Sequence, residues 1–278
     1  MLASLLERVR AIDPRIYQMT VQATLLTHGL LFLDFDLGLA QVVITIGTAL
    51  ATQWIACRVV RVPFELYSAA NTSLSLCLIL RTNFLWFAAL AAVLAIGSKF
   101  VIRYRGKHVF NPSPFALVAL MAVGAPIWVS PGQWGNAALT AFLIASAGSF
   151  VVTRSLRADI AFGFLAFWAC ALFGRALYLG DPLTIPIHQL ESGMLILFSF
   201  AMMTDPKTTP DSRIGRLIFA ALVALGGFWI QFVLYRTNGL LWSLCAVSLA
   251  VPIIDRLMPG VRFAWAHTIR RPEPVPAE

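Results

Sequence analysis

The sequence predicts an all-α, polytopic transmembrane protein of about ten helices arranged as a 5+5 inverted repeat. Three observations lead there. The chain is 59% hydrophobic and only 12% charged, whereas soluble domains run near half apolar and a quarter charged. Its apolar residues gather into ten blocks. Two stretches about 131 positions apart also repeat each other: Phe87-Ala-Ala-Leu90, running on to Tyr104, and Phe219-Ala-Ala-Leu222, running on to Tyr235.

The blocks run approximately 16–33, 38–57, 66–80, 84–102, 114–129, 136–153, 159–179, 189–203, 216–235 and 239–255. They occupy most of the 278 residues and leave no room for a sizeable soluble domain. Unbroken apolar runs are unlike the alternating pattern of a membrane barrel, so spanning strands are not expected. Five spans per half is an odd number, which turns the second copy upside down relative to the first. The third to fifth helices then pair with the eighth to tenth, and the first two with the sixth and seventh. The expected organisation is an inner-face amphipathic segment (1–15), a first repeat (16–129), a second repeat (136–257) and a disordered cytoplasmic tail (258–278). The loop Ser130-Pro-Gly-Gln-Trp-Gly-Asn136 joins the halves on the outer side.

Asp13-Pro14 opens the first span. Blocks 66–80 and 189–203 are shorter than the roughly 20 apolar residues that cross a bilayer. Paired short segments in matching halves point to a site near the membrane midplane. Asn71, Thr72, Ser73 and Ser75 lie in the first of them, and Glu191 and Ser192 open the second. Such groups either line a pathway or pack and bond within their own helices; for these residues both readings stand. Two polar loops follow, Arg105-Gly-Lys-His-Val-Phe-Asn-Pro-Ser-Pro114 and Thr204-Asp-Pro-Lys-Thr-Thr-Pro210. Asn111-Pro112 and Asp205-Pro206 read as helix starts. Free amides at a helix start suit an anionic or carbonyl-bearing ligand, or the residues serve only as caps.

Placing the N-terminus inside puts eighteen Lys and Arg residues on the inner side. Only Arg81, Arg175 and Arg236 fall outside, as the positive-inside rule requires. The net charge of +8 then belongs to short loops beside anionic lipid and calls for no nucleic-acid partner. The first fifteen residues contain no long apolar core of the kind a cleavable signal carries. Both termini are expected in the cytoplasm. Cys57, Cys77, Cys170 and Cys245 read as buried free thiols, with no disulfide framework and no metal-ligand spacing. His28 and His188 near the outer ends are not expected to hold haem, because no second histidine pair exists. Arg-Thr-Asn occurs at 81–83 and 236–238, at non-equivalent places in the two repeats.

Gly106-Lys-His-Val-Phe-Asn-Pro-Ser-Pro-Phe115 and Ser192 to Pro210, with its Met203-Thr-Asp-Pro-Lys-Thr-Thr-Pro element, resemble the signature of the NqrB/RnfD family. Its members are membrane subunits of the sodium-pumping NADH:quinone oxidoreductase and of the Rnf ferredoxin:NAD complex. The resemblance implies two inverted halves, a bacterial cytoplasmic membrane, flavins as electron carriers, and redox partner subunits. It also implies an inner-side site for a non-covalent flavin (riboflavin or FMN), with Asn111 and Ser113 facing Thr204, Asp205 and Thr208. Asn71, Thr72, Ser73 and Glu191 remain the polar candidates at midplane depth. The family's covalent FMN sits on a Ser/Thr-Gly-Ala-Thr motif, which is absent from this sequence, so no covalent FMN is expected. The chain has no motif for an iron–sulfur cluster and no catalytic residue of its own. Two other classes stay open: a small-solute transporter on the same scaffold without flavin, or a membrane component of a biosynthetic complex.

Overall fold

The structure, a computed structural model, describes residues 13–33, 35–130 and 157–263. The expected segment over 1–12, most of the joining loop, the sixth block (136–153) and the tail from 264 lie outside the described residues. Helix α1 (Pro14–Phe32) starts as its sequence dictates: the Asp13 carboxylate accepts the Arg15 amide at 2.9 Å, and a first-turn proline has no amide to leave unsatisfied. There follow α2 (Leu39–Val60), α3 (Leu66–Ile79), α4 (Leu85–Val101) and α5 (Pro112–Ala122). The second part holds α6 (Ala158–Leu179), α7 (Thr184–Leu190) and α8 (Gly193–Leu197), which runs into a π-helical turn at Phe198–Met202. Then come α9 (Arg213–Phe228), with a π-helical turn at Trp229–Val233, α10 (Gly239–Ser248) and α11 (Val251–Leu257).

Among the described residues, α2, α6 and α9 with its π turn are long and apolar enough to cross a bilayer. The pairs α7–α8 and α10–α11 also qualify when each is taken as one span bent by 50°. The first bend falls at Glu191-Ser192. The second falls just before Pro252, which has no amide for the preceding turn. The chain is a multi-pass, mostly helical membrane protein.

The fifth block stops short of its expected end. Helix α5 ends at Ala122 because Gly124 turns left-handed (φ 71°) and Ala125 precedes proline, a place that disfavours helix. Residues Ile127–Val129 (β4) instead pair antiparallel with Leu80–Thr82 (β1), Leu80 opposite Val129. A second ribbon joins Arg103–Tyr104 (β2) to Lys107–His108 (β3). These ribbons cap helix ends and do not span.

Helix α4 packs on α2 and α5, and α9 packs on α6 and α10. The repeated Phe-Ala-Ala-Leu stretch is the reason. Ala88, Ala91, Ala92 and Ala95 on α4 are fully buried, as are their repeat counterparts Ala220, Val223 and Ala224 on α9. Small residues let helix backbones approach closely in a membrane, where water gives no drive to association. At Gly227, the counterpart of Ala95, an added Cβ would sit 2.6 Å from Leu240 on α10. Buried amides tie neighbouring helices, with Gln22 donating to Ser75 at 2.8 Å and Gln41 to the Leu80 carbonyl at 3.1 Å.

Arg81 is buried. Its guanidinium donates to the Cys77 and Leu80 carbonyls, both at 2.9 Å, and lies over the Phe35 ring. Arg236, in the other Arg-Thr-Asn, is exposed, so the two tripeptides share no role. Of the four thiols, Cys57, Cys77 and Cys245 are buried as expected, whereas Cys170 faces outward from α6.

Candidate functional site

The loops rich in Lys and Arg come together at one end of the bundle and enclose a polar cleft of about 110 Å³. Its walls are the N-terminal half of α3, the last turn of α4, the start of α5 and the segment that leaves α8. Seven of the residues singled out in the sequence line it: Asn71, Thr72, Ser75, Asn111, Ser113, Thr204 and Asp205.

Asn111 precedes α5, yet its side chain caps nothing. Its amide donates instead to the Met202 carbonyl at 3.0 Å, tying the first half of the chain to the second. The Ser113 hydroxyl donates to the Thr72 carbonyl at 3.2 Å, and the Thr72 hydroxyl to the Ser68 carbonyl at 2.9 Å. Thr204 donates to the Phe200 carbonyl at 2.7 Å. Asp205-Pro206 does not begin a helix, which corrects the sequence reading. The Asp205 carboxylate accepts the Lys207 amide at 3.0 Å in a tight turn, and α9 starts only at Arg213, where Ser212 accepts the Gly215 amide at 3.1 Å. Pro210 explains the delay, since its missing amide denies the helix its first bonds.

Three candidates lie elsewhere. Ser73 is buried and bonds to its own helix at the Ala70 carbonyl. Thr208 is buried in the turn, donating to the Asp205 carbonyl. Glu191 closes α7 at the opposite end of the bundle, 3.4 Å from His188.

Sequence reasoning missed the best-placed cation. Lys99 is only 4% exposed, and its Nζ donates to the Ser68 carbonyl at 3.0 Å and the Ser68 hydroxyl at 3.1 Å. In the sequence it reads as one more inner-loop charge, but an ionisable residue inside an apolar helix is itself a sign of function. Arg15, Lys207 and Glu65 complete the charged wall, with Arg15 donating to Glu65 at 2.8 Å. Among the described residues, Asn71 Oδ1 and His108 Nδ1 are buried without a hydrogen-bond partner, a costly state that marks a place for a ligand or water.

His108 lies in the loop outside the spans. Burial pushes its imidazole down to about 4, with Asp205 opposing and Lys207, Arg103 and Lys99 reinforcing the shift. The folded protein therefore keeps His108 neutral, while the unfolded chain takes up a proton near pH 6.5. The resulting stability is complete above that value and is lost as pH falls toward 4, by roughly 3 kcal/mol at most. Thermal midpoints recorded from pH 7.5 to 4.5 should fall less steeply for His108→Gln than for the unaltered protein; parallel curves would refute the assignment.

A second cavity of about 300 Å³ lies at the far end of α9, where Gln189, Ser192, Gln231 and Asn238 meet Trp168. The repeat aligns Lys99-Phe-Val-Ile102 with Gln231-Phe-Val-Leu234, so matching positions line the two cavities. Asn238 precedes α10 as Asn111 precedes α5.

Known proteins bear out the resemblance. Residues 123–263 match the NQR2, RnfD, RnfE family. The D subunit of an ion-translocating oxidoreductase complex from Citrobacter koseri is 34% identical over 103 residues, covering 37% of this chain and 29% of the relative. Its counterpart from Cronobacter sakazakii is 30% identical over 152 residues, 54% of this chain and 41% of the relative. That of Shewanella amazonensis is 30% identical over 106 residues, 38% and 30% of the respective chains. The chain thus matches well under half the length of these relatives. With the family matched over half of its residues and both signature loops gathered at one cleft, the chain belongs to the NQR2, RnfD, RnfE family.

Proposed function

We propose that this protein is an electron-transport subunit of the NqrB/RnfD type, and that its inner cleft holds a flavin without a covalent bond. One observation carries the reading: signature residues from both halves line a single cleft whose wall includes an unpartnered Asn71 oxygen and a buried Lys99. The pyrimidine edge of an isoalloxazine presents two carbonyls, a ring nitrogen and one imide N–H. Asn71 Oδ1 is the acceptor that the N–H needs. Lys99 and Lys207 are donors for the carbonyl edge, and a cation there favours the reduced ring. A bound flavin supplies reversible electron uptake; the protein supplies the fit, the dry wall and the electrostatics. Either riboflavin or FMN meets these demands. The missing Ser/Thr-Gly-Ala-Thr motif argues against covalent FMN.

The 5+5 inverted plan belongs to the same proposal, with 136–153 as the sixth span and the basic end in the cytoplasm of a bacterial inner membrane. It is supported by the like packing of α4 with α2 and α5 and of α9 with α6 and α10. Because the relatives are named as the D subunit of a complex, further redox subunits are the expected partners. Linkage to ion movement is proposed on the strength of the same names, which call the relatives ion-translocating.

The test is a visible spectrum of the detergent-purified protein before and after acid precipitation. Yellow colour released into the supernatant is the expected result, and colour retained in the pellet would mean covalent attachment. Asn71→Ala should lower the flavin-to-protein ratio severalfold with folded yield unchanged. It disturbs the fold less than Asn111→Ala, because the Asn71 amide makes only a long bond, 3.5 Å to the Arg15 carbonyl, whereas Asn111 ties the halves together at 3.0 Å from Met202. The two bent helix pairs and the second cavity favour one other reading, a solute transporter. A colourless preparation that moves a solute in proteoliposomes would decide for it.

A further inference from the structure

Next to the cleft, across His108, lies a second pocket of about 150 Å³ at the basic end. The β2–β3 turn forms one side, with Arg105 and Gly106 both left-handed (φ 49° and 79°). Helix α11 and the residues after it form the other, so the pocket straddles the seam between the two halves. Three arginines converge here: Arg105, Arg256 and Arg262. Arg262 is held in place by donating to the Arg105 carbonyl at 2.7 Å.

The two acids in the wall are already engaged. Lys107 Nζ lies 3.0 Å from Asp211 and 2.8 Å from Asp255, and the other Asp255 oxygen accepts the Asp211 amide at 2.8 Å. Among the described residues, none of the three arginines has a carboxylate within ion-pair distance. The wall therefore carries four cations against two anions. Guanidinium groups are built for bidentate contact with phosphate oxygens. Apolar side chains continue outward from the same segment, Leu257 being 73% exposed and Val261 92%, which suits an acyl chain beside a headgroup.

We propose that this pocket binds a phosphate group, presented by an anionic lipid headgroup or by a soluble phosphate, and so bridges the two halves. Basic pockets between helices on the cytoplasmic side are suited to such headgroups. The proposal does not rest on the flavin reading, because the two pockets share only His108 and the three arginines line this one alone.

The experiment titrates delipidated, detergent-purified protein with phosphatidylglycerol in one arm and inorganic phosphate in the other, against chloride at equal ionic strength. Binding is followed by native mass spectrometry and by tryptophan fluorescence. Arg105→Gln/Arg256→Gln should weaken binding of the productive probe roughly fivefold for each arginine removed. Arg58→Gln/Arg61→Gln, which removes the same charge from another exposed turn, should leave it unchanged. Saturable binding of the lipid alone assigns the pocket to a headgroup; binding of inorganic phosphate without lipid preference assigns it to a soluble phosphate. Equal losses in the two double variants, or no binding of either probe, would overturn the proposal. Should the pocket variant fold poorly, Arg256→Gln alone, at an exposed helix end, is read by the same titration.

Discussion

Exchanging Lys107 for methionine is expected to lower stability by about 3 kcal/mol, because it strands two carboxylates that share a single cation. The Lys107 side chain is 12% exposed, that of Asp211 11% and that of Asp255 20%. Its Nζ also donates to the Thr209 carbonyl at 2.8 Å. All of these partners come from the second half of the chain, whereas Lys107 belongs to the first, so the loss should appear as a looser seam between halves. Removing one member of a partly buried ion cluster costs more than the cluster contributes, since the remaining charges keep their desolvation cost without compensation. A triple variant, Lys107→Met/Asp211→Asn/Asp255→Asn, should regain a large part of the loss, and a mutant cycle on thermal midpoints in detergent measures the coupling. A midpoint for Lys107→Met indistinguishable from the unaltered protein would reduce the cluster to an ordinary surface pair, where values of about 0–1 kcal/mol are usual.

The second large effect concerns Lys99. Lys99→Met should weaken flavin retention at least about tenfold, the scale of a lost hydrogen bond to a charged group, while leaving the fold intact. Methionine matches the lysine stem in length and flexibility and is at home among apolar neighbours. The partner left behind is Ser68, whose hydroxyl can turn to other acceptors and whose carbonyl lies in the first turns of α3. Acid-released flavin per mole of protein is the readout, with the thermal midpoint of flavin-free protein as the control for folding. Unchanged occupancy in Lys99→Met would remove this residue from the site and leave Asn71 and Lys207 as its polar anchors.

Much of the site can be read without coordinates, and the omissions follow a pattern. Asn111, Ser113, Thr204 and Asp205 are visible because proline-punctuated polar loops between apolar blocks are conspicuous. Lys99 escapes because a single cation near the end of an apolar run looks like any charge at a membrane boundary. His108 sits inside a signature loop without an evident role, since burial, not identity, makes its neutral state matter. Glu191 and Ser73 stand out by polarity alone. Ser73 is missed because helix rotation is invisible in a hydropathy pattern, and Glu191 because polarity alone does not say at which end of the bundle a residue lies. The Asp205-Pro206 reading fails because a cap and an Asx turn use the same side chain, and only the amides further along decide between them.

By itself the sequence determined that this chain is helical and lives in a membrane, where most of its blocks begin and end, and which alanine-rich stretch recurs in both halves. Those are consequences of solvation and local sterics, which act along the chain. Only the tertiary structure decided that α3, α4, α5 and the exit from α8 share one polar cleft, that Asn111 reaches across to Met202, and that Lys107 fastens the seam. Those depend on contacts between residues about a hundred positions apart, whose pairing no local pattern specifies, because each is chosen by the packing of whole helices.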